Sequence, residues 1–282
     1  MPLTELVHYF NKRQRLARPG CDEEGFEIVG GRVRARFAGR LLGSLFQPVK
    51  EPGSLRVIGH EAHLQVLGGD SGQVPAQAIF LDARDDEELV HLDRTVRTLH
   101  ALNFLLEREQ HGAFLSLNVH PQLIRAVPDH HGHVFEGVLA RCGLTPDRIV
   151  LELADDGLGD ISRLAVAIAE YRERGYRVAI DNFGRHSADL DRLEALAPDI
   201  VKLDRCLIGH FGHLSLAKRV MSELAVEARR LGLQLGIQCI ENPLQLQVAR
   251  EAGADWLQGH LLGRPAEACL PIVRPRRPRQ AA

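Results

Sequence analysis

Arg177-Val178-Ala179-Ile180-Asp181-Asn182-Phe183-Gly184 is a short apolar run that stops on an acid–amide pair and a glycine. Ile237-Gln238-Cys239-Ile240-Glu241 ends a second run in a similar way. Glu61, Asn118, Glu152 and Lys202 sit at or near the ends of further short runs. When such runs are parallel strands of one sheet, their C-terminal ends meet on one side, and residues distant in sequence converge there. Carboxylates, an amide and a lysine in such a row suit a hard-cation site acting on a phosphodiester. Asn182 and Gln238 place amides in this otherwise acidic set, so the row reads as built for that chemistry and then partly emptied.

Outward from this stretch, the chain alternates. Runs rich in Val, Ile and Leu cover residues 57–66, 114–119, 149–153, 177–180, 200–203, 235–240 and 256–262. Helical spacing of apolar residues separates them, over 87–109, 134–141, 161–174, 190–196, 214–231 and 243–252. Gly143, Gly175, Gly232 and Gly253 stand where the residue after a helix end belongs. With residues 41–49 in front, this makes about eight strands with helices between most of them. The pattern predicts an α/β fold, a (β/α)8 TIM-like barrel rather than an open sheet. No glycine-rich phosphate fingerprint supports the doubly wound alternative.

Upstream, residues 26–49 read as strands with a turn at Gly30-Gly31. Residues 3–17 form an amphipathic helix, with Leu3, Leu6, Val7 and Phe10 on one side and Lys12, Arg13 and Arg15 outside. Its expected role is to cap the fold, with docking of a partner as the sharper alternative. Three segments follow: an N-terminal extension over 1–40, a barrel over 41–268, and a basic Pro-rich, disordered tail over 269–282.

Composition narrows the class. Of 282 residues, 45% are hydrophobic and 26% charged, as in an ordinary globular protein, and the net charge of −2 gives no bulk attraction to nucleic acid or anionic membrane. Cys21, Cys142, Cys206, Cys239 and Cys269 are odd in number and lack a CxxC pair, so reduced thiols in a cytoplasmic protein are expected. No apolar stretch reaches the roughly 18 residues of a membrane span, and no signal-peptide core is present.

The ordered segments resemble the EAL-domain family, the cyclic di-GMP phosphodiesterases and their inactive relatives. The resemblance spans residues 41–265 and rests on Phe46-Gln47-Pro48-Val49, Glu61-Ala62, 115–118, 151–153, Asp181 with Phe183-Gly184, 201–204 and Gln258-Gly259-His260-Leu261-Leu262-Gly263-Arg264-Pro265. It implies that positions matching Glu61, Asn118, Glu152 and Asp181 bind one divalent metal. The Asp181 position also bridges to a second metal, which the following acid helps to hold. The Lys202 position lies beside the attacking water, and an acid at the Gln238 position completes the site. Gln47, Glu61, Asp181 and Gln258 are the ligand-binding positions it suggests. The departures are Asn182, Gln238, His63 for the signature Leu, Gln65 for a nucleotide-contacting Arg, and Arg185-His186-Ser187-Ala188 in the polar loop after the fifth strand. Two formal negative charges are gone from the second-metal region, and amides lack the charge that a hard cation requires. Lys202 and Gln238 are then vestigial, no cofactor is required, and one Mg2+ or Mn2+ held weakly at Glu61, Asn118, Glu152 and Asp181 is the most that is retained.

Blander readings apply residue by residue. A lone acid or lysine here would be a solvated strand-end residue; the ordered set argues otherwise. Gln47 and Gln258 are equally consistent with ordinary hydrogen bonding at a barrel mouth and with nucleotide contact. Asp129-His130-His131-Gly132-His133 reads as a solvated loop rather than a metal site, as do His210 and His213, and Trp256 reads as packing. The expectation is a degenerate, non-enzymatic regulator in bacterial cyclic di-GMP signalling. It is narrowly favoured to act through a regulatory protein partner, partly because no output domain is evident. A cyclic di-GMP receptor using the vestigial pocket is the alternative, and an active phosphodiesterase the second. No direct nucleic-acid contact is expected, and a homodimer stays open.

Overall fold

The computed structural model describes residues 2–20, 23–67, 75–107, 112–127, 131–154, 160–186, 188–209 and 214–272. Eight strands close a barrel: β3 (Arg40–Lys50), β4 (Val57–Leu67), β5 (Phe114–Val119), β6 (Ile149–Ala154), β7 (Arg177–Phe183), β8 (Ile200–Leu203), β9 (Gln234–Ile237) and β10 (Trp256–Leu257). From β4 to β10 each strand is parallel to the next. The first barrel strand, β3, runs antiparallel to both β4 and β10. Only six residues separate β3 from β4, too few for the crossover that parallel neighbours need. The alternation in the sequence located this strand but not its direction.

The region 26–49 resolves into two hairpins. β1 (Gly25–Val29) pairs with β2 (Arg32–Phe37), and β2 pairs with β3. Their two-residue turns, Gly30-Gly31 and Ala38-Gly39, all have positive φ, as a tight right-twisted hairpin requires. α1 (Leu3–Ala17) covers the open edge of β1. Its Leu6, Val7 and Phe10 are buried, and the Asn11 side chain bonds both backbone groups of Phe26, at 2.7 and 2.8 Å. That pairing removes an exposed sheet edge. The apolar face of α1 is therefore spent on the fold, which is the capping role.

α3 (Asp86–Phe104), α5 (His133–Cys142), α6 (Ile161–Glu173), α7 (Leu190–Leu196), α9 (Leu214–Arg230) and α10 (Pro243–Ala252) follow the helical spacing read from the sequence. Gly143, Gly175, Gly232 and Gly253 all take the left-handed conformation at the helix ends. The short helices α2 (Ala76–Leu81), α4 (Pro121–Ala126) and α8 (Arg205–Gly209) were not legible, because one or two turns leave too little periodicity.

Two runs are shorter as strands than expected. β10 stops at Leu257 because Gly259 passes against Ile240; a Cβ there would stand 2.1 Å from the Ile240 carbonyl oxygen. β9 stops at Ile237, ahead of Cys239 in a left-handed conformation. Within the expected solvated loop around 129–133, one described residue departs from the expectation. His131 is buried against Tyr171, with ring centroids 5.7 Å apart, and its N–H donates to Glu170. Asp129, His130, His210, His213 and residues 273–282 lie outside the described residues. No helix among the described residues is long and apolar enough to cross a membrane.

The barrel interior is closed at its N-terminal end. Phe114 stacks on Trp256 at 4.5 Å, over Val49, Val150, Ala179 and Ile200, and the Arg177 guanidinium lies over both rings. This is the packing role expected of Trp256. The free space above this plug, between Lys202, Glu152 and Gln238, is about 10 Å3, barely one water. Any ligand must therefore enter from the C-terminal mouth.

Candidate functional site

Strand alternation decides what faces the mouth. On β4, Glu61 and His63 share a face. On β5, Ser116 and Asn118 share one, while Leu115, Leu117 and Val119 turn toward the helices and join the outer core. The neighbouring strands are registered so that Gln47 lies opposite Glu61 and Asn118 beside Glu152. Gln47, Glu61, Asn118, Glu152, Asp181, Lys202, Gln238 and Gln258 meet in one network.

Lys202 lies at its centre, 4% exposed. Its Nζ is 2.7 Å from Glu61 Oε2, 2.7 Å from Glu152 Oε2 and 3.9 Å from Asp181 Oδ1. Glu61 also accepts from Gln258 Nε2 at 2.9 Å and from Asn118 Nδ2 at 3.3 Å. Gln258 donates to Gln47 Oε1 at 3.3 Å as well, and Gln47 donates to the Gly263 carbonyl. Glu152 accepts from the Ser116 hydroxyl. Ser116 was missed by the sequence reading, although its place two residues before Asn118 puts it on the same strand face.

The two departures from an acidic row have a direct geometric consequence. Gln238 Nε2 donates to Asp181 Oδ1 at 2.8 Å, and Asn182 Nδ2 donates to Asp181 Oδ2 at 2.9 Å. Both oxygens of Asp181 are thus taken by amide N–H groups. An acid at either position could only have repelled Asp181 or shared a cation with it. As they stand, the two amides satisfy Asp181 through hydrogen bonds.

Charge inside the cluster is uneven. Burial raises Glu61, but the Lys202 ammonium outweighs it and brings the carboxyl down to about 2. Burial together with the Glu61 charge pushes Glu152 up to about 8 against the pull of Lys202. Burial opposes the Lys202 charge, yet Glu152, Glu61 and Asp181 hold it well above its ordinary value. In metal-free protein, Glu152 then holds its proton to a higher pH in the fold than in the unfolded chain, over a window that opens at its ordinary value of 4.5. Unfolding releases that proton, so stability is expected to fall as pH rises through this window, by up to about 1.4 kcal/mol per pH unit. Denaturant midpoints in EDTA from pH 5 to 8 measure the slope, and Glu152→Gln should flatten it. An identical slope in the variant would mean that Glu152 is ionised throughout.

The donor types, three carboxylates and an amide, suit one hard cation. Among the described residues, however, no three His, Cys, Asp or Glu side chains surround a common point as they stand. Lys202 occupies the centre between Glu61 and Glu152. For a second cation the residues do not fit, because Asn182 and Gln238 present N–H groups toward Asp181.

The rim differs from side to side. His63 Nε2 lies 3.2 Å from Gln47 Oε1, so it is part of the network rather than mere bulk. Gln65 lies beyond the barrel proper, where β4 pairs only with β3, and its buried Oε1 has no hydrogen-bond partner. Across the mouth, Arg185 Nε donates to Asp204 Oδ2 at 3.0 Å and Nη2 to Asn182 Oδ1 at 3.1 Å. No local pattern in the chain announces this contact. A separate cavity of about 180 Å3 lies outside the β5–β6 wall, lined by Val119, Ile124, Leu153 and Leu164, and does not reach the carboxylates.

The family model of the EAL domain matches residues 32–265. The chain is 30% identical over 231 residues to the uncharacterized EAL-domain containing protein YkuI of Bacillus subtilis (strain 168), covering 80% of this chain and 55% of YkuI. It is 27% identical over 226 residues to the probable cyclic di-GMP phosphodiesterase PdeN of Escherichia coli (strain K12), covering 78% of this chain and 42% of PdeN. The chain thus spans about half the length of these relatives. The crystal structure of YkuI in complex with cyclic di-GMP and calcium matches with a TM-score of 0.69 at 28% identity, over 81% of this chain and 57% of that one. A standalone EAL protein from Vibrio cholerae O395, in its cyclic di-GMP-bound form, matches with a TM-score of 0.70 over 82% of this chain and 95% of that one. At 19% identity that likeness concerns the fold alone.

Proposed function

Since the chain belongs to the EAL-domain family, we propose that it binds cyclic di-GMP without hydrolysing it and passes the bound state to a regulatory protein partner. The observation that carries this reading is Asp181, whose two carboxylate oxygens each accept an amide N–H, from Gln238 and from Asn182. A carboxylate engaged in this way does not bridge two cations. Without the bridge, no paired cations activate a water or stabilise charge on a phosphodiester. At most one Mg2+ or Mn2+ is held, at Glu61, Asn118, Glu152 and Asp181, in competition with the Lys202 ammonium.

Binding is supported by the joined Gln47, Glu61, His63 and Gln258 side chains at the mouth. YkuI, with its cyclic di-GMP complex, is the relative whose printed ligand suits this reading. The sequence narrowly favoured protein contacts with weak or no nucleotide binding, because Gln65 replaces a cationic residue. Arg185, on the other side of the mouth, restores a guanidinium and shifts the balance toward a receptor.

Isothermal titration of the purified protein with cyclic di-GMP, with Mg2+ and with EDTA, tests the reading. Micromolar or tighter binding, weakened by Gln47→Ala and Asp181→Ala, is expected, with intact nucleotide recovered afterwards. No binding in either condition would leave a regulator acting through protein contacts alone, the reading that the polar, uncharged Gln65 favours.

A further inference from the structure

The chain turns back sharply after β7. Asn182 is left-handed at φ 59°, Gly184 has φ 87°, and the Arg185 N–H donates to the Asn182 carbonyl at 3.1 Å. A Cβ at position 184 would stand 2.4 Å from a Leu207 methyl in a left-handed conformation that side chains rarely adopt, so glycine suits this turn. The reversal carries the Arg185 guanidinium back over Asn182. Nη2 holds Asn182 Oδ1 at 3.1 Å, and Nε holds Asp204 Oδ2 at 3.0 Å. Asp204 is 3% exposed and is itself fixed by the Cys206 N–H at 2.8 Å, so the anchor is rigid. The Arg185 side chain remains 52% exposed, and its Nη1 makes no bond to another described residue.

We infer that Arg185 takes the place of the second cation: a fixed guanidinium, tied to Asp181 through Asn182, holds a phosphodiester oxygen of the ligand without a divalent metal. The inference rests on the mouth being the cyclic di-GMP site and adds how the phosphate is recognised. Asn182 is gripped from both sides, its Nδ2 on Asp181 and its Oδ1 on Arg185, so the amide links the guanidinium to the carboxylate in one fixed chain. A divalent cation placed there would face both the guanidinium and the two amide N–H donors. Lys202 cannot serve a ligand in its stead, because it is buried and engaged by Glu61 and Glu152. A guanidinium is weakly hydrated and presents paired donors to phosphate oxygens, so an anchored and half-exposed one is suited to this contact.

Titration of the full chain with cyclic di-GMP in EDTA is the first test. Wild type should bind, Arg185→Ala should lose about tenfold or more in affinity, and Arg185→Lys should fall between them. Manganese stoichiometry, read by electron paramagnetic resonance, is the second. The Asn182→Asp, Gln238→Glu pair should hold one Mn2+ per chain while Arg185 is present, and two once Arg185→Ala is added. Equal affinity of wild type and Arg185→Ala in EDTA overturns the inference, and so does binding that requires Mg2+. Two Mn2+ per chain with Arg185 in place also overturns it. Absence of binding in every condition instead sinks the receptor reading, and the manganese count then still decides whether Arg185 excludes the second cation.

Discussion

Cyclic di-GMP incubated with the purified protein and Mn2+ or Mg2+ is expected to stay intact, with turnover at least about a thousandfold below an active EAL-domain phosphodiesterase assayed alongside. Removing one transition-state-stabilising group from an enzyme costs about 10²–10³ in rate. Here amides stand at 182 and 238 and both donate to Asp181; on the proposed reading the bridge between two cations is lost together with their charge balance. The Asn182→Asp, Gln238→Glu pair should raise Mn2+ affinity about tenfold or more, because charged oxygens replace N–H donors. Rate should stay low, since Arg185 still grips position 182 and Gln65 still replaces a cationic residue. Robust turnover by the wild type, abolished by Glu61→Ala, would sink the idea. Full activity in the double variant would show that the two amides alone silence the site.

Replacing Lys202 should have the largest effect on stability. Lys202→Met is expected to destabilise the metal-free protein by about 3–5 kcal/mol, the cost of leaving a buried charge without its partner. Glu61 and Glu152 each lie 2.7 Å from Nζ, with side chains 8% and 1% exposed, so neither can turn to water for compensation. For a chain of this size the loss corresponds to a fall in Tm on the order of 10 °C. Adding Mn2+ should recover part of it, because a hard cation can occupy the centre that the ammonium vacates. Combining Lys202→Met with Glu61→Gln should cost less than the two single changes together, since the second removes the orphaned charge. By contrast, breaking the exposed Arg219–Glu223 pair, whose side chains are 77% and 63% exposed, should be close to neutral. A Lys202→Met protein as stable as wild type in EDTA would mean that Glu61 is not held as an anion by this lysine.

Much of the fold was legible because its signals are local. Short runs rich in Val, Ile and Leu, the helical spacing between them and a glycine after each of four helices are properties of neighbouring residues, and these located all eight barrel strands and most of the helices. The identities of the site residues were legible for the same reason. Glu61, Asn118, Glu152, Asp181 and Lys202 recur at the ends of successive runs, and a closed parallel sheet has little choice but to gather them. The short helices escaped notice because one or two turns carry too little period, and the early end of β10 because a long apolar run gave no sign of Gly259 passing against Ile240.

The chain alone reveals which chemistry-bearing residues its strand ends carry, and that positions 182 and 238 hold amides in an acidic row. What those residues do to one another is set by the folded barrel. Lys202 neutralises Glu61 from 141 positions away, and Gln238 donates to Asp181 from 57 positions away. Distances of this kind are set by barrel closure and strand register, which no local pattern encodes. The antiparallel course of β3 places Gln47 opposite Glu61 and depends on pairing with β4 and β10 on either side. The return of Arg185 onto Asn182 depends on a left-handed turn and on a buried Asp204 contributed by the next strand connection. The amides at 182 and 238 could be read as lost ligands from the chain alone; that they satisfy Asp181 as donors is a matter of orientation in three dimensions, where hydrogen-bond direction and burial determine which group accepts and which gives.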